Sequence, residues 1–295
     1  MNKKLQGSKA NLLQQLCFLV PVLLGIFVFR FWPMLKAFYM SLYEYNLLGA
    51  KSSFVGLQNF IELFHDSTFL NSLKVSFLYG LMRIPTQVVL ALFLALYVNR
   101  KFRGVTFIRT LSFVPVVTSL VAVSVIWNLM YHPTYGIFNS ILHVFGLSAQ
   151  EFLINRKLAL PSIILSVIWK DVGFSMIIFL AGLQSIPRNL YEAAEVDGAA
   201  YWKRFRYVTL PLLKQTTLYV VVVTTIFTFQ DFAPIYVMTQ GGPMEATKNL
   251  IYYIYENAFV YMRMGYANAL SVIFFIILAG LSLLQIGVSR KEELA

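Results

Sequence analysis

One stretch of this sequence carries charged side chains in an order that could bind another protein. Between residues 190 and 213, three carboxylates precede three cations: Glu192, Glu195, Asp197, Lys203, Arg204 and Arg206. The small Ala193 and Ala194 beside the first carboxylate let another backbone approach closely. The cations alone could rest on anionic lipid headgroups. The carboxylates would be repelled by the same headgroups, so we favour a protein-docking surface.

A second set of polar side chains lies inside strongly apolar segments. Placing Arg83 in lipid costs roughly 2.5–3.5 kcal/mol, so we expect Arg83 to face a cavity or a partner. Trp169, Asp171, Gln230 and Asp231 are further candidates for a solute path. Their polar groups could hydrogen-bond solute hydroxyls while an aromatic ring stacks on a sugar. Equally, they could form structural ion pairs and hydrogen bonds between helices.

One negative expectation accompanies this set. Lys170 directly precedes Asp171, and adjacent residues do not share a helix face. We therefore expect the two residues to lie on different faces of the helix.

No pattern for catalysis or metal binding stands out in the sequence. The histidines, His65, His132 and His143, have no metal-pair spacing, and the single Cys17 excludes a disulfide framework or a CxxC pair. The sequence has no GxxxxGK[ST] phosphate loop. We predict that the chain is not an enzyme and binds no cofactor. If ATP and Mg²⁺ drive its activity, they bind to another polypeptide.

The composition indicates the elements that must position these residues. Of 295 residues, 58% are hydrophobic and 13% are charged, against roughly 25% charged in soluble domains. The apolar residues form six blocks, each near the ~20 residues that cross a bilayer as a helix. We predict an all-α integral membrane protein with one transmembrane domain over residues 1–295. Its six spans cover approximately 12–34, 73–98, 108–130, 158–183, 212–238 and 266–288.

Basic residues near the span ends predict the orientation. Fourteen Lys and Arg fall beside the termini and the second and fourth loops, and five fall on the opposite side. Cytoplasmic loops carry the excess of Lys and Arg, so both termini and the loop over 184–211 are predicted to be cytoplasmic. Because the cations flank apolar blocks, the net charge of +11 does not imply nucleic acid binding.

Local signals predict two short helices within this loop. Ser185 can cap a first helix with Pro187 in its first turn, and the helix-forming run continues to Asp197. Gly198 can supply the left-handed conformation that ends a helix. A second short helix is predicted over 199–207, before Pro211 opens the next span.

The loop also carries a family resemblance. Glu192-Ala-Ala-x-x-x-Gly198 followed by Leu210-Pro211 resembles the EAA loop of permeases of binding-protein-dependent ABC importers. The longer pattern Ile186-Pro-x-x-Leu-Tyr-Glu-Ala-Ala-x-x-Asp-Gly-Ala-x-x-Trp-x-x-Phe-x-x-Val-Thr-Leu-Pro-Leu-Leu213 is similar to the carbohydrate branch, which includes the maltose and glycerol-3-phosphate importers. Thr239-Gln-Gly-Gly-Pro243 resembles an outer loop of the first permease of such heterodimers. The resemblance covers residues 12–288, but the chain lacks the extra spans and large outer domain of the maltose version.

The resemblance implies a type I ABC importer permease that works by alternating access in a bacterial or archaeal cytoplasmic membrane. Its partners would be a second homologous permease, two ATP-binding subunits, an external solute-binding protein delivering a sugar or related solute, and membrane lipid. The residues implied in coupling to the ATP-binding subunit are Glu192, Ala193, Ala194, Asp197, Gly198 and Pro211.

Two alternative functions remain at this point. An ion-coupled secondary transporter would place its charges at mid-membrane and would need no long docking loop. A membrane-embedded phosphotransferase would need acidic ligands on adjacent turns, whereas the loop becomes basic after Asp197.

Overall fold

The computed structural model of this chain describes residues 19–45 and 53–293. Its elements, in chain order, are α1 (Leu19–Met40), β1 (Tyr43–Glu44), β2 (Ser53–Phe54), α2 (Gln58–His65), α3 (Ser67–Val98), α4 (Val105–Phe113), α5 (Leu120–Met130), α6 (Ile137–Val144), α7 (Ala159–Ser185), α8 (Arg188–Val196), α9 (Tyr201–Arg204), α10 (Lys214–Phe229), α11 (Ala233–Met238), α12 (Leu250–Tyr255) and α13 (Met264–Glu293). Residues 12–18, which begin the first predicted span, lie outside the described residues.

The number of apolar helices is consistent with six spans. Within residues 19–45 and 53–293, four helices, α1, α3, α7 and α13, are long and apolar enough to cross a membrane. Two bent helix pairs raise the count to six if each pair is one span.

The third and fifth predicted spans are not single helices. The helical segment Val105–Val117 and α5 are bent relative to each other by 101°. The segment Tyr201–Leu212 and α10 are bent by 64°. Pro115 and Pro211 lie near these breaks, and proline lacks the backbone N–H that would continue the helix. The fifth predicted span, 212–238, is also interrupted after Phe229, and α11 begins separately with a proline in its first turn.

One compact unit comprises Met1–Asp66 and Ile254–Phe275. In its described part, β1 pairs antiparallel with β2. The amide of Asn59 donates to the carbonyls of Ser41 at 2.8 Å and Tyr43 at 3.1 Å. A Cβ at Gly265 would overlap the Tyr43 carbonyl oxygen. This close approach requires glycine, and it fixes the start of α13 against the strand pair.

The other unit comprises Ser67–Tyr253 and Ile276–Ala295, and α3 packs along α7 within it. Two apolar clusters form its core. One includes Tyr79, Trp127 and Ile163, and the other includes Ala95 and Phe179. Between the two clusters, α3 carries the polar residues Arg83 and Gln87, and α7 carries Lys170, Asp171 and Ser175. This polar layer contains the charged candidates identified above.

Candidate functional site

The loop between α7 and α10 contains a short protruding helix, α8. Pro187 occupies its N-cap position and makes no side-chain cap. The predicted cap by Ser185 is wrong because α7 continues through Ser185, whose hydroxyl donates to the Gly182 carbonyl at 2.8 Å. The apolar pattern of α7 therefore extends the long helix past the predicted span end at residue 183.

The predicted left-handed residue at the end of this helix is confirmed. Gly198 has φ +72°. Its N–H donates to the Glu195 carbonyl at 3.0 Å, and the Ala199 N–H donates to the Ala194 carbonyl at 2.9 Å. These paired bonds are those of a Schellman motif, with Asp197 as the C-cap residue. Gly198 therefore sets the direction in which the chain leaves α8.

The returning chain is tied to α8 by two side-chain contacts. The Tyr191 and Thr209 hydroxyls are 3.0 Å apart, and Arg204 pairs with Glu195. The second helix predicted over 199–207 is confirmed with shifted bounds: it begins with α9 at Tyr201 and continues through a π-helical turn over Phe205–Thr209 to Leu212. Pro211 then lies in the first turn of the short helix Leu210–Leu212.

The surface of α8 is available for contact with another molecule. Ala193 is exposed, and Val196 is 88% exposed at the end of the helix. Glu192 is exposed and pairs with Arg188 at 3.0 Å, one helical turn earlier. An exposed apolar end next to charged groups can pack against a second protein while the charges set its orientation.

The second candidate site lies on one face of α3. Its polar residues Ser72, Ser76, Tyr79, Arg83 and Gln87 are all buried. They recur at intervals of three or four residues, so they form a single stripe along the helix. The stripe faces α7 and the 231–250 region, and the Ser76 hydroxyl accepts the Leu250 N–H at 2.8 Å.

The guanidinium of Arg83 is the centre of this stripe and is completely buried. It pairs with Asp171 of α7 at 2.7 Å and also with Asp231. Its Nε donates to Gln87 at 3.2 Å, and Tyr79 donates to Asp231 at 2.7 Å. The expectation that Arg83 faces a partner rather than lipid is thus confirmed, and the partners come from two separate segments.

Lys170 and Asp171 form an ion pair, although adjacent residues do not share a helix face. The Lys170 ammonium lies 3.0 Å from an Asp171 carboxylate oxygen. The long lysine side chain reaches around the helix, so its terminal nitrogen is not confined to the face on which its Cα lies. The charge network, defined as Arg83, Lys170, Asp171 and Asp231, therefore contains two cations and two anions.

The network is unevenly exposed. The Arg83 and Asp231 side chains are 0% and 6% exposed, whereas that of Asp171 is 20% exposed. Its inner part is thus closed off and its outer part, at Asp171, is accessible.

The two remaining solute-path candidates are placed differently. Trp169 is 48% exposed, with its ring 5.8 Å from that of Trp127. Gln230 is also exposed, directly after α10. Neither side chain takes part in the contacts described for Arg83.

The sequence reasoning missed three members of this site: Tyr79, Gln87 and Ser175. Gln87 donates to the Ser175 hydroxyl at 3.0 Å, which connects α3 and α7 one turn away from Arg83. The four-residue spacing of Tyr79, Arg83 and Gln87 was a readable signal, because residues at i and i+4 share a helix face.

A family model matches residues 87–290 of this chain, with the description binding-protein-dependent transport system inner membrane component. The chain is also 36% identical over 273 residues to the sn-glycerol-3-phosphate transport system permease protein UgpA of Rhizobium meliloti, covering 92% of this chain and 93% of that protein.

Two crystal structures share its fold. One is a bacterial ABC transporter involved in import of the acidic polysaccharide alginate, with a TM-score of 0.87, 24% identity and coverage of 98% of this chain and 99% of the other. The second is a bacterial alginate ABC transporter in complex with alginate pentasaccharide-bound periplasmic protein, with a TM-score of 0.86, 24% identity and coverage of 97% and 96%.

Proposed function

Because this chain belongs to the family of binding-protein-dependent transport system inner membrane components, we propose that α8 couples its membrane helices to a separate ATP-hydrolysing subunit. The family match confirms the predicted resemblance, and the chain is a multi-pass inner-membrane permease of a binding-protein-dependent ABC importer. Its family is a transmembrane permease subunit rather than an enzyme.

The coupling proposal rests on the contacts that attach α8 to the rest of the chain. The helix is exposed on its outer side, ends in the Schellman motif at Gly198, and is fastened to the returning chain through Tyr191 and Arg204. A force on α8 would therefore be transmitted both to α7, which ends at Ser185, and to the segment that leads into α10. Glu192, Ala193, Ala194, Asp197, Gly198 and Pro211 form the coupling set of this proposal.

We further propose that the carried solute is a sugar or a related compound. Support comes from the relative described as an sn-glycerol-3-phosphate permease and from the shared fold of the alginate importer. The proposed partners are a second homologous permease, two ATP-binding subunits that hold ATP and Mg²⁺, and an external solute-binding protein.

Burial divides the five solute-path candidates into two roles. Arg83 and Asp231 hold the helices together, because both are buried and their polar atoms are engaged in contacts with each other and with neighbours such as Tyr79. Trp169, Asp171 and Gln230 are accessible, so these three are the proposed solute contacts.

Co-purification tests the docking role of α8. The chain is tagged in its native membrane, extracted in mild detergent, and its associated proteins are identified by mass spectrometry for wild type and Glu192→Arg. We expect an ATPase carrying a phosphate-binding loop in the wild-type sample and its loss from the variant.

Glu151→Arg is the matched control, because Glu151 is also exposed but lies in a predicted outer loop. It should retain the ATPase. Equal recovery of the ATPase with Glu192→Arg and wild type would refute docking through α8. Recovery of no second permease would refute the proposed heterodimer.

A further inference from the structure

Two adjoining cavities lie between the end of α3 and the segment around α9. The first has a volume of about 370 Å³ and is lined in part by Asn99, Arg100, Arg188 and Arg204. The second has a volume of about 190 Å³ and is lined in part by Phe93, Tyr97 and Trp202. Leu96, Arg100, Tyr201 and Phe205 line both cavities. They therefore form one groove with a basic end and an apolar end.

The basic end is suited to an anion. Among the described residues, three guanidinium groups and no carboxylate line the two cavities. Arg188 and Arg204 pair with glutamates outside the lining, whereas Arg100 lies over the ring of Tyr201, with 5.6 Å between its guanidinium carbon and the ring centroid. Guanidinium groups bind phosphate with directed, charge-assisted hydrogen bonds. The volume of the first cavity, about 370 Å³, equals that of about twelve liquid water molecules at about 30 Å³ each. This space is enough for a phosphodiester group.

The apolar end is suited to a hydrocarbon chain at a membrane surface. Phe93 and Trp202 are each 65% exposed, and the Trp202 ring stacks on Phe205 with 5.4 Å between centroids. Phe93 and Tyr97 lie on the last turns of α3, a helix long and apolar enough to span the bilayer. Trp and Tyr rings are typical of the depth at which a membrane meets water. Arg100 follows directly, where a lipid headgroup would lie.

From these two ends we infer that the groove is a binding site for one anionic phospholipid, such as phosphatidylglycerol. Its phosphate lies at Arg100, Arg188 and Arg204, and an acyl chain lies along Phe93, Leu96 and Trp202. The site connects the end of α3 to the segment that fastens α8. A bound lipid would therefore hold these two segments together at the membrane surface. The inference requires only the membrane location of the chain and is independent of whether α8 binds an ATPase.

Tryptophan quenching by brominated lipid tests the site. The full chain, with whatever subunits co-purify, is reconstituted into vesicles that contain a minor fraction of brominated phosphatidylglycerol or brominated phosphatidylcholine. Because the chain has four tryptophans, the difference between wild type and Trp202→Phe isolates the signal of Trp202. We expect brominated phosphatidylglycerol to quench Trp202 more strongly than brominated phosphatidylcholine does.

Arg100→Gln should lower the apparent affinity for phosphatidylglycerol by about tenfold or more, since a hydrogen bond from a guanidinium to a charged phosphate contributes at least about a factor of ten. Lys203→Gln is the matched control. It also removes one positive charge, from α9, whose residues Tyr201 and Arg204 line the groove; Lys203 itself lines neither cavity, so the affinity of this variant should match that of wild type.

Three outcomes would overturn the inference. Equal quenching by the two lipids would mean ordinary boundary lipid. Displacement by inorganic phosphate, beyond that caused by sodium chloride at equal ionic strength, would mean a site for a soluble anion. Loss of a co-purifying subunit in Arg100→Gln would mean that the groove is a protein interface.

Discussion

Replacing Gly198 with valine should uncouple transport while leaving the chain in the membrane. Gly198 holds φ +72°, and an added Cβ would meet no heavy atom within 4 Å. The cost of the substitution is therefore conformational. A left-handed backbone costs an L-residue about 1–2 kcal/mol, and for a β-branched residue such as valine the cost lies near the upper end of this range. This cost lowers the equilibrium constant between the native turn and other conformations of the loop roughly 5- to 30-fold.

The contacts that oppose this shift are of similar size. The Arg204–Glu195 pair is partly exposed, so solvent screening limits it to about 0.2–1 kcal/mol. The Tyr191–Thr209 hydrogen bond adds about 0.5–1.5 kcal/mol. The backbone cost of valine and the free energy of these two contacts nearly balance. The chain after α8 should therefore adopt its native conformation in only a fraction of the molecules. We expect solute uptake to fall between about twofold and tenfold.

The assay compares four residues at this position in proteoliposomes, with solute uptake and ATP hydrolysis measured in parallel. The expected order of uptake is Gly, then Asn, then Ala, then Val, because asparagine tolerates the left-handed region better than other L-residues. Gly104→Val is the matched control, since Gly104 has φ +92° and equally open surroundings in a different loop. It should not change the ratio of uptake to ATP hydrolysis.

Two results would refute the reasoning. Normal uptake by Gly198→Val would show that the direction of the chain after α8 does not matter for transport. Equal loss in Gly198→Asn and Gly198→Val would show that the effect does not follow the backbone penalty.

Three further predictions follow from the contacts of the second unit. Asp231→Asn removes one of the two carboxylates on Arg83; breaking a buried pair costs about 3–5 kcal/mol, so the melting temperature of the purified chain should fall, and an unchanged value would contradict a stabilising network. Gly173→Ala places a methyl group against the backbone carbonyl of Ser112, and this overpacking, which costs about 1–3 kcal/mol, should lower the yield of folded protein in size-exclusion chromatography. Gly280→Ala, whose added methyl group meets no atom within 4 Å, should leave the yield unchanged. Tyr191→Phe removes a hydrogen bond worth about 0.5–1.5 kcal/mol and should reduce uptake per ATP hydrolysed by a few-fold; an unaltered ratio would exclude a role for this bond in coupling.

The features that could be predicted are those with local causes. The turn at Gly198 depends on the backbone preference of a single residue, and the helix before it depends on a short helix-forming run. The predicted Ser185 cap is wrong because an N-cap requires the preceding helix to end before it, and α7 does not end there. Local signals at one position cannot show how far a neighbouring helix extends.

The partners of Arg83 could not be read from the sequence, since Asp171 and Asp231 lie 88 and 148 residues away. The cost of burying Arg83 predicted that a partner exists but did not identify it. The Lys170–Asp171 pair was not predicted, because the spacing rule describes only where side chains leave the helix. The position of a long side chain's terminal atom is set by the space around it, which only the packed structure defines.

The pairing of Arg83 also has a consequence for how the chain is made. Arg83 is synthesised 88 residues before Asp171 and 148 residues before Asp231. At about 5–20 residues per second, the growing chain carries an uncompensated guanidinium for several seconds before its first carboxylate partner is made. During that interval α3, although apolar enough to cross a membrane, carries an insertion cost of roughly 2.5–3.5 kcal/mol at Arg83, and pairing with Asp171 and Asp231 offsets this cost. Completion of the later helices thus compensates a charge carried by the earlier one, and we expect a polypeptide truncated before residue 171 to leave the charge of Arg83 without these two carboxylates.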